Sequence, residues 1–190
     1  MRKAAPVSLG KLDLLQWLGR PIDHLREIIP TGSGETEWVD AAQDYPELLS
    51  GPMLGYNITS ATTDVLASER SAVSAGSPQT SMRLLMDIRR TITRSDVDKA
   101  QARLLLGNLR SPESRPVMVL TDLDDEWHAM WPDGCTVYQH TCASRAPALG
   151  FIRELLVGRF ETSAPILQTS FAKRRHIDDK LVKGAAAFSW

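Results

Sequence analysis

The feature that most constrains this chain is a strand, helix and strand read between Arg83 and Thr121. Along Arg83-Leu-Leu-Met-Asp-Ile-Arg-Arg90, alternation puts Leu84, Met86 and Ile88 on one face and Leu85, Asp87 and Arg89 on the other. The first face is wholly apolar, while the second carries an acid and a base two residues apart. Val97, Ala100, Leu104, Leu105 and Leu109 then recur at helical spacing, with Lys99, Arg103 and Arg110 opposite them. Ser95-Asp-Val-Asp98 reads as a capping box with Ser95 as the cap. Pro116-Val-Met-Val-Leu-Thr121 is continuously apolar and of strand length, the pattern of a strand covered on both faces. Residues 83–90 and 116–121 are therefore expected to be neighbouring central strands, with the helix laying its stripe on their sheet.

The flanks are read from the same signals. Lys11 to Leu18 is expected as a short helix stopped by Gly19, and Pro21 opens a second helix to Ile29. Ser33 is expected to cap a third helix carrying Glu37, Trp38, Ala41 and Ala42. Leu54 to Thr59 is a strand candidate. Ser68 to Ser81, rich in Ser, Ala and Gly, reads as a loop and as the place for disorder. Pro132-Asp-Gly134 reads as a hairpin turn, and Ala148 to Val157 as an amphipathic helix. The fold class expected is α/β (α+β), a mixed central sheet flanked by helices. The division expected is a helical N-terminal extension over 1–50, the core over 51–160 and a partly flexible tail over 161–190.

Composition excludes some function classes. At 190 residues, with 43% hydrophobic and 24% charged residues, the chain can bury one sizeable core and is not expected to be disordered throughout. The net charge of −1 points to no partner, but its distribution is uneven. Residues 35–69 hold seven acids and no Lys or Arg, and residues 83–115 hold eight Lys or Arg against four acids. Two cysteines make no disulfide framework, and no apolar run reaches the length of a membrane span. No export signal is visible, so an intracellular location, in the nucleus or cytoplasm, is expected.

The element order, with Met86-Asp-Ile-Arg89, Lys99-Ala-Gln-Ala-Arg-Leu-Leu-Leu106 and Val119-Leu-Thr-Asp-Leu-Asp124 leading into Trp127-His-Ala-Met-Trp131, resembles the PD-(D/E)xK nuclease-like superfamily. More narrowly, it resembles the degenerate domains of that class at the C-termini of Crinkler-type effectors. The resemblance implies a restriction-endonuclease-like core and Mg²⁺-dependent phosphodiester hydrolysis. Asp64 and Asp87 would be the two metal-binding acids, Arg89 would stand where the family has Lys, and Glu37 would match a further glutamate. Carboxylates suit Mg²⁺ because they hold a hard cation while leaving positions for water and phosphate.

The chain departs from that pattern twice: no proline precedes Asp64, and Arg89 replaces Lys. Arginine clamps a phosphate but does not readily act as a base. The resemblance therefore implies either a Mg²⁺-dependent nuclease with weakened or lost activity, or a module that only binds. Arg90, Arg94, Lys99 and Arg103 are the residues expected to meet DNA or RNA. A host protein is the other partner class, through an exposed apolar patch such as Trp127 with Trp131. Asp87 and Arg89 also read as a simple ion pair on one strand face. Asp122-Leu-Asp-Asp-Glu126 reads as a metal-holding run or a solvated turn. His128, Cys135, His140 and Cys142 lack the spacing of a zinc knuckle. The oligomeric state is left open.

Overall fold

The computed structural model describes residues 21–29, 35–53, 56–58, 61–134, 136–157 and 173–176. In chain order these form helix α1 (Pro21–Ile28), strand β1 (Thr36–Asp40), the short helix α2 (Ala41–Asp44), strands β2 (Gly51–Met53), β3 (Tyr56–Ile58) and β4 (Val65–Glu69), and helix α3 (Arg70–Ser74). Strand β5 (Met82–Ile88), helix α4 (Arg94–Arg110), strands β6 (Val117–Thr121), β7 (Trp127–Asp133) and β8 (Thr136–Cys142), helix α5 (Arg145–Leu156) and strand β9 (Lys173–His176) follow. The fold is α+β. A seven-stranded sheet runs in the order β1-β4-β5-β6-β7-β8-β9, and β2 pairs with β3 apart from it.

The pair β5 and β6 lies at the centre and is parallel, while every other pair in that sheet is antiparallel. A parallel pair needs a crossover, and α4 supplies it. Both faces of the centre are covered, as the apolar run in β6 requires: all five of its residues are buried. On one face α1 and α5 pack Leu25, Ile152 and Leu155 against Leu84, Met86 and Trp127. On the other, α4 packs Val97, Ala100 and Leu104 against Leu85, Met118 and Leu120. The alternation expected along β5 holds from Leu84 to Ile88. It breaks at Arg83, where the register with β4 slips and returns Met82 to the Leu85 face.

The structure corrects the flanks. Residues 36–40 form a strand of the main sheet, where a helix was expected, so this segment belongs to the core sheet rather than to a helical extension. Over five residues, periods of 2 and 3.6 are hard to tell apart, and tertiary burial decides. Trp38 is buried on the α1 face and donates Nε1–H to the Ile29 carbonyl at 3.0 Å, while Val39 is buried on the opposite face. The stretch from Ser68 to Ser81 is built and pinned. Ser68 Oγ donates toward the Pro78 and Ser81 carbonyls (2.7 and 3.0 Å), and Ser111 Oγ donates to Gln79 O and accepts from Met82 N–H. Serines that suggested a flexible composition serve here as backbone partners.

The hairpin closes with Asp133 opposite Thr136, and Gly134 lies in its turn. Gly134 has φ +57, and Pro132 is a strand residue beyond the last pair with β6, where no ladder bond to that strand is required. Residues 173–176, expected in a tail, pair with β8. The helix expected over 11–18, the cap at Ser33, and Cys135 lie outside the described residues. No described helix is long and apolar enough to cross a membrane.

Candidate functional site

Asp64 precedes β4, and Asp87 lies in β5. Val65 pairs with Met86, so the next step of the register sets Asp64 beside Asp87. The two acids do come together, but with arginine between them. Arg89 follows β5 and uses each of its three guanidinium nitrogens on a different carboxylate. Nη1 lies 2.8 Å from Asp64 Oδ2, Nη2 lies 3.7 Å from Asp87 Oδ2, and Nε lies 3.6 Å from Asp96 Oδ1. The same-face pairing of Asp87 with Arg89 is thus one edge of a larger network.

Each carboxylate is also held by its own element. Asp64 Oδ2 accepts the Ile88 N–H at 2.6 Å. Asp87, only 1% exposed, receives Arg103 Nη1 from α4 on Oδ2. Asp96 belongs to the cap of α4. Thr93 is the cap residue, its hydroxyl accepting the Asp96 N–H while Asp96 Oδ2 accepts the Thr93 N–H at 2.9 Å. The cap expected at Ser95 is corrected by two residues. Thr93-Arg-Ser-Asp96 and Ser95-Asp-Val-Asp98 satisfy the same pattern, and only the earlier frame sets its acid beside Arg89.

Burial pushes the Asp87 carboxyl above its ordinary value, Arg103 opposes that rise, and neighbouring Asp64 adds to it. Thr63 acts with Arg103 against the rise: its hydroxyl lies 2.9 Å from Asp87 Oδ1, toward which it donates, and 2.7 Å from the Met86 carbonyl. The Thr93 hydrogen bond instead holds Asp96 below its ordinary value.

The residues expected at a nucleic-acid surface divide. Arg103 is spent on Asp87, whereas Arg90, Arg94 and Lys99 are exposed on the β5–α4 connection and the first turns of α4. Glu37 lies on β1 beside Arg70 (3.9 Å) and opposite Ser68, three register steps from the Asp40 end that adjoins Asp64. It takes no part in the site. Trp127 and Trp131 are buried at 1% and 5% exposure, so the exposed apolar patch expected of them does not form. Trp127 donates Nε1–H to the Asp124 carbonyl, and Trp131 stacks on Tyr138. Asp122 folds the acidic run into a turn by accepting the Asp124 and Glu126 N–H groups. His128 meets Gln139 and Thr141.

Among the described residues no group of three or more His, Cys, Asp or Glu is arranged to hold a metal ion. The donor set around Asp64 and Asp87 does not suit Mg²⁺, because the carboxylate oxygens that would bind it face guanidinium nitrogens. Sequence reasoning missed Thr63 and Asp96. Asp96 was legible as a second capping frame; nothing near Thr63 announced its role. Comparisons with protein-family models, with curated proteins and with solved structures find no match to this chain.

Proposed function

We propose that this domain is a nuclease-like module that does not cleave, and that it binds nucleic acid weakly through Arg90, Arg94 and Lys99. The observation that carries the reading is the sharing of Arg89 among Asp64, Asp87 and Asp96. An acid pair neutralised by arginine neither gathers a divalent cation nor activates water beside one. The three exposed cations, Arg90 on the strand-to-helix connection and Arg94 and Lys99 in the first turns of α4, are left for phosphate contacts. With three such contacts on duplex DNA, log K falls with log salt at a slope of about −2.7, or roughly 40-fold between 50 and 200 mM salt.

The test is fluorescence anisotropy on labelled DNA and RNA oligonucleotides across that salt range, beside a plasmid-cleavage assay with Mg²⁺ or Mn²⁺. The expected result is no cleavage, with micromolar or weaker binding that follows the slope and is lost in the triple Arg90→Ala, Arg94→Ala, Lys99→Ala variant. Cleavage by the unmodified protein that disappears with Asp64→Ala and with Asp87→Ala overturns the non-cleaving half. Absence of binding at low salt overturns the other half.

A further inference from the structure

We infer that α4 has two starting frames, one capped by Thr93 and one by Ser95, and that Arg89 holds the helix in the first. Along Thr93-Arg-Ser-Asp-Val-Asp98 a capping residue followed three places later by an acid occurs twice, two residues apart. The structure occupies the first frame. Thr93 is extended (φ −106, ψ 167), its hydroxyl accepts the Asp96 N–H at 3.3 Å, and Asp96 Oδ2 accepts the Thr93 N–H at 2.9 Å. Ser95 then stands exposed at the second helical position. The first buried side chain of the helix is Val97, beyond both caps, while Arg94 and Ser95 are exposed. Unwinding those two residues therefore uncovers no core.

Local chemistry barely separates the frames. Serine caps a helix at least as well as threonine, and either frame has an aspartate at its third helical position. The first frame adds the bonds from the Asp96 and Val97 N–H groups to the Thr93 carbonyl, 3.1 and 3.2 Å long. Such bonds lie in the turn that frays most easily. The choice is settled from outside the helix. With Asp96 Oδ2 turned back on Thr93, Asp96 Oδ1 lies 3.6 Å from Arg89 Nε, and Arg89 is itself fixed on Asp64 at 2.8 Å. Arg89 thus ties the first turn of α4 to the end of β5. In the second frame Arg94 leaves the helix, and the connection that carries Arg90 grows from residues 89–93 to 89–95. The bearing of this on nucleic acid rests on the proposed binding reading; the two frames do not.

The experiment has two readouts on the whole chain. The first is the Cα and Cβ chemical shifts of Ser95 by NMR, which distinguish helical from extended backbone. They are expected to be helical in the wild type, extended in Thr93→Ala, and moved part of the way in Arg89→Gln, which removes one partly exposed ion pair. The second is a double-mutant cycle of Thr93→Ala and Ser95→Ala by urea unfolding. Ser95→Ala is expected to leave the folding constant of the wild type nearly unchanged. In the Thr93→Ala background it is expected to lower that constant by about 2- to 30-fold, the worth of a helix cap. A Ser95 that stays helical in Thr93→Ala overturns the second frame, as does a Ser95→Ala effect equal in the two backgrounds. A Ser95 unmoved in Arg89→Gln overturns the role of Arg89. Oligonucleotide binding by the unmodified protein is a separate result and bears on the proposed function alone.

Discussion

Gly107→Ala tests how closely α4 rests on the sheet, and hence what lets Arg103 reach Asp87 one turn earlier on the same helix. On helix propensity alone, alanine is favoured over glycine by about 0.8–1.0 kcal/mol in a helix interior. Sterics act against it. A Cβ at Gly107 would lie 2.6 Å from Leu85 Cδ1 and 3.6 Å from Pro116 Cγ, and Leu85 is fully buried. The leucine tip has no solvent to move into, and overpacking of that kind costs about 1–3 kcal/mol. The net expectation is a loss of about 0–2 kcal/mol. Gly150, inside α5, has nothing within 4 Å of a built Cβ, so Gly150→Ala is expected to stabilise by about 0.5–1 kcal/mol. The two variants, alike in chemistry, are expected to differ by about 1–3 kcal/mol, read from midpoints of urea unfolding at a common m-value. If Gly107→Ala gains as much stability as Gly150→Ala, α4 does not sit on β5 at this depth, and the contact between Arg103 and Asp87 loses its support.

Asp87→Ala strips one partner from a buried ion pair and is expected to cost about 3–5 kcal/mol by chemical denaturation, with a loss under 1 kcal/mol refuting the burial of that pair. A carboxyl raised in the folded state contributes stability fully below its unfolded value, 3.8, and loses it as the pH rises through the folded value. Asp87→Asn is therefore expected to remove a decline in stability toward neutral pH, and an unchanged profile from stepped-pH urea melts would count against it. Asp96, lowered in the fold, has the opposite sign, its contribution being lost as the pH falls through the folded value. Leu104→Ala, at a fully buried position, is expected to cost about 2–5 kcal/mol. Leu109→Ala, at a position 50% exposed, is expected to stay within about 0.5 kcal/mol of the wild type; equal losses at the two positions would show that the helix face is misassigned.

The centre of the fold was legible because its signals are long and agree with one another. Leu84 to Ile88 alternates, the stripe of α4 runs for several turns, and β6 is apolar throughout; the first two imply an apolar face with a helix to cover it, and the last a strand covered on both faces. The stripe was legible through Leu104 but not at its end, since Leu109 points to water while Gln101 and Gly107 are buried. The flanks were less legible because their elements are short. Five residues around Trp38 fit a helix face as readily as a strand, and β4 hid behind a polar approach.

What the sequence determined by itself is the set of charges available to the site and the strand that carries Asp87 and leads to Arg89. Those follow from alternation, which acts between neighbours in the chain. What only the tertiary structure decided is how the charges are spent. Asp64 meets Asp87 through the register of β4 on β5, Arg103 descends on Asp87 because a glycine lets α4 approach, and Asp96 reaches Arg89 because Thr93 rather than Ser95 caps the helix. Each of these is a contact between residues far apart in sequence, or a choice between two local frames of equal merit. Local propensity carries no information about either; packing and the pairing of buried charge do.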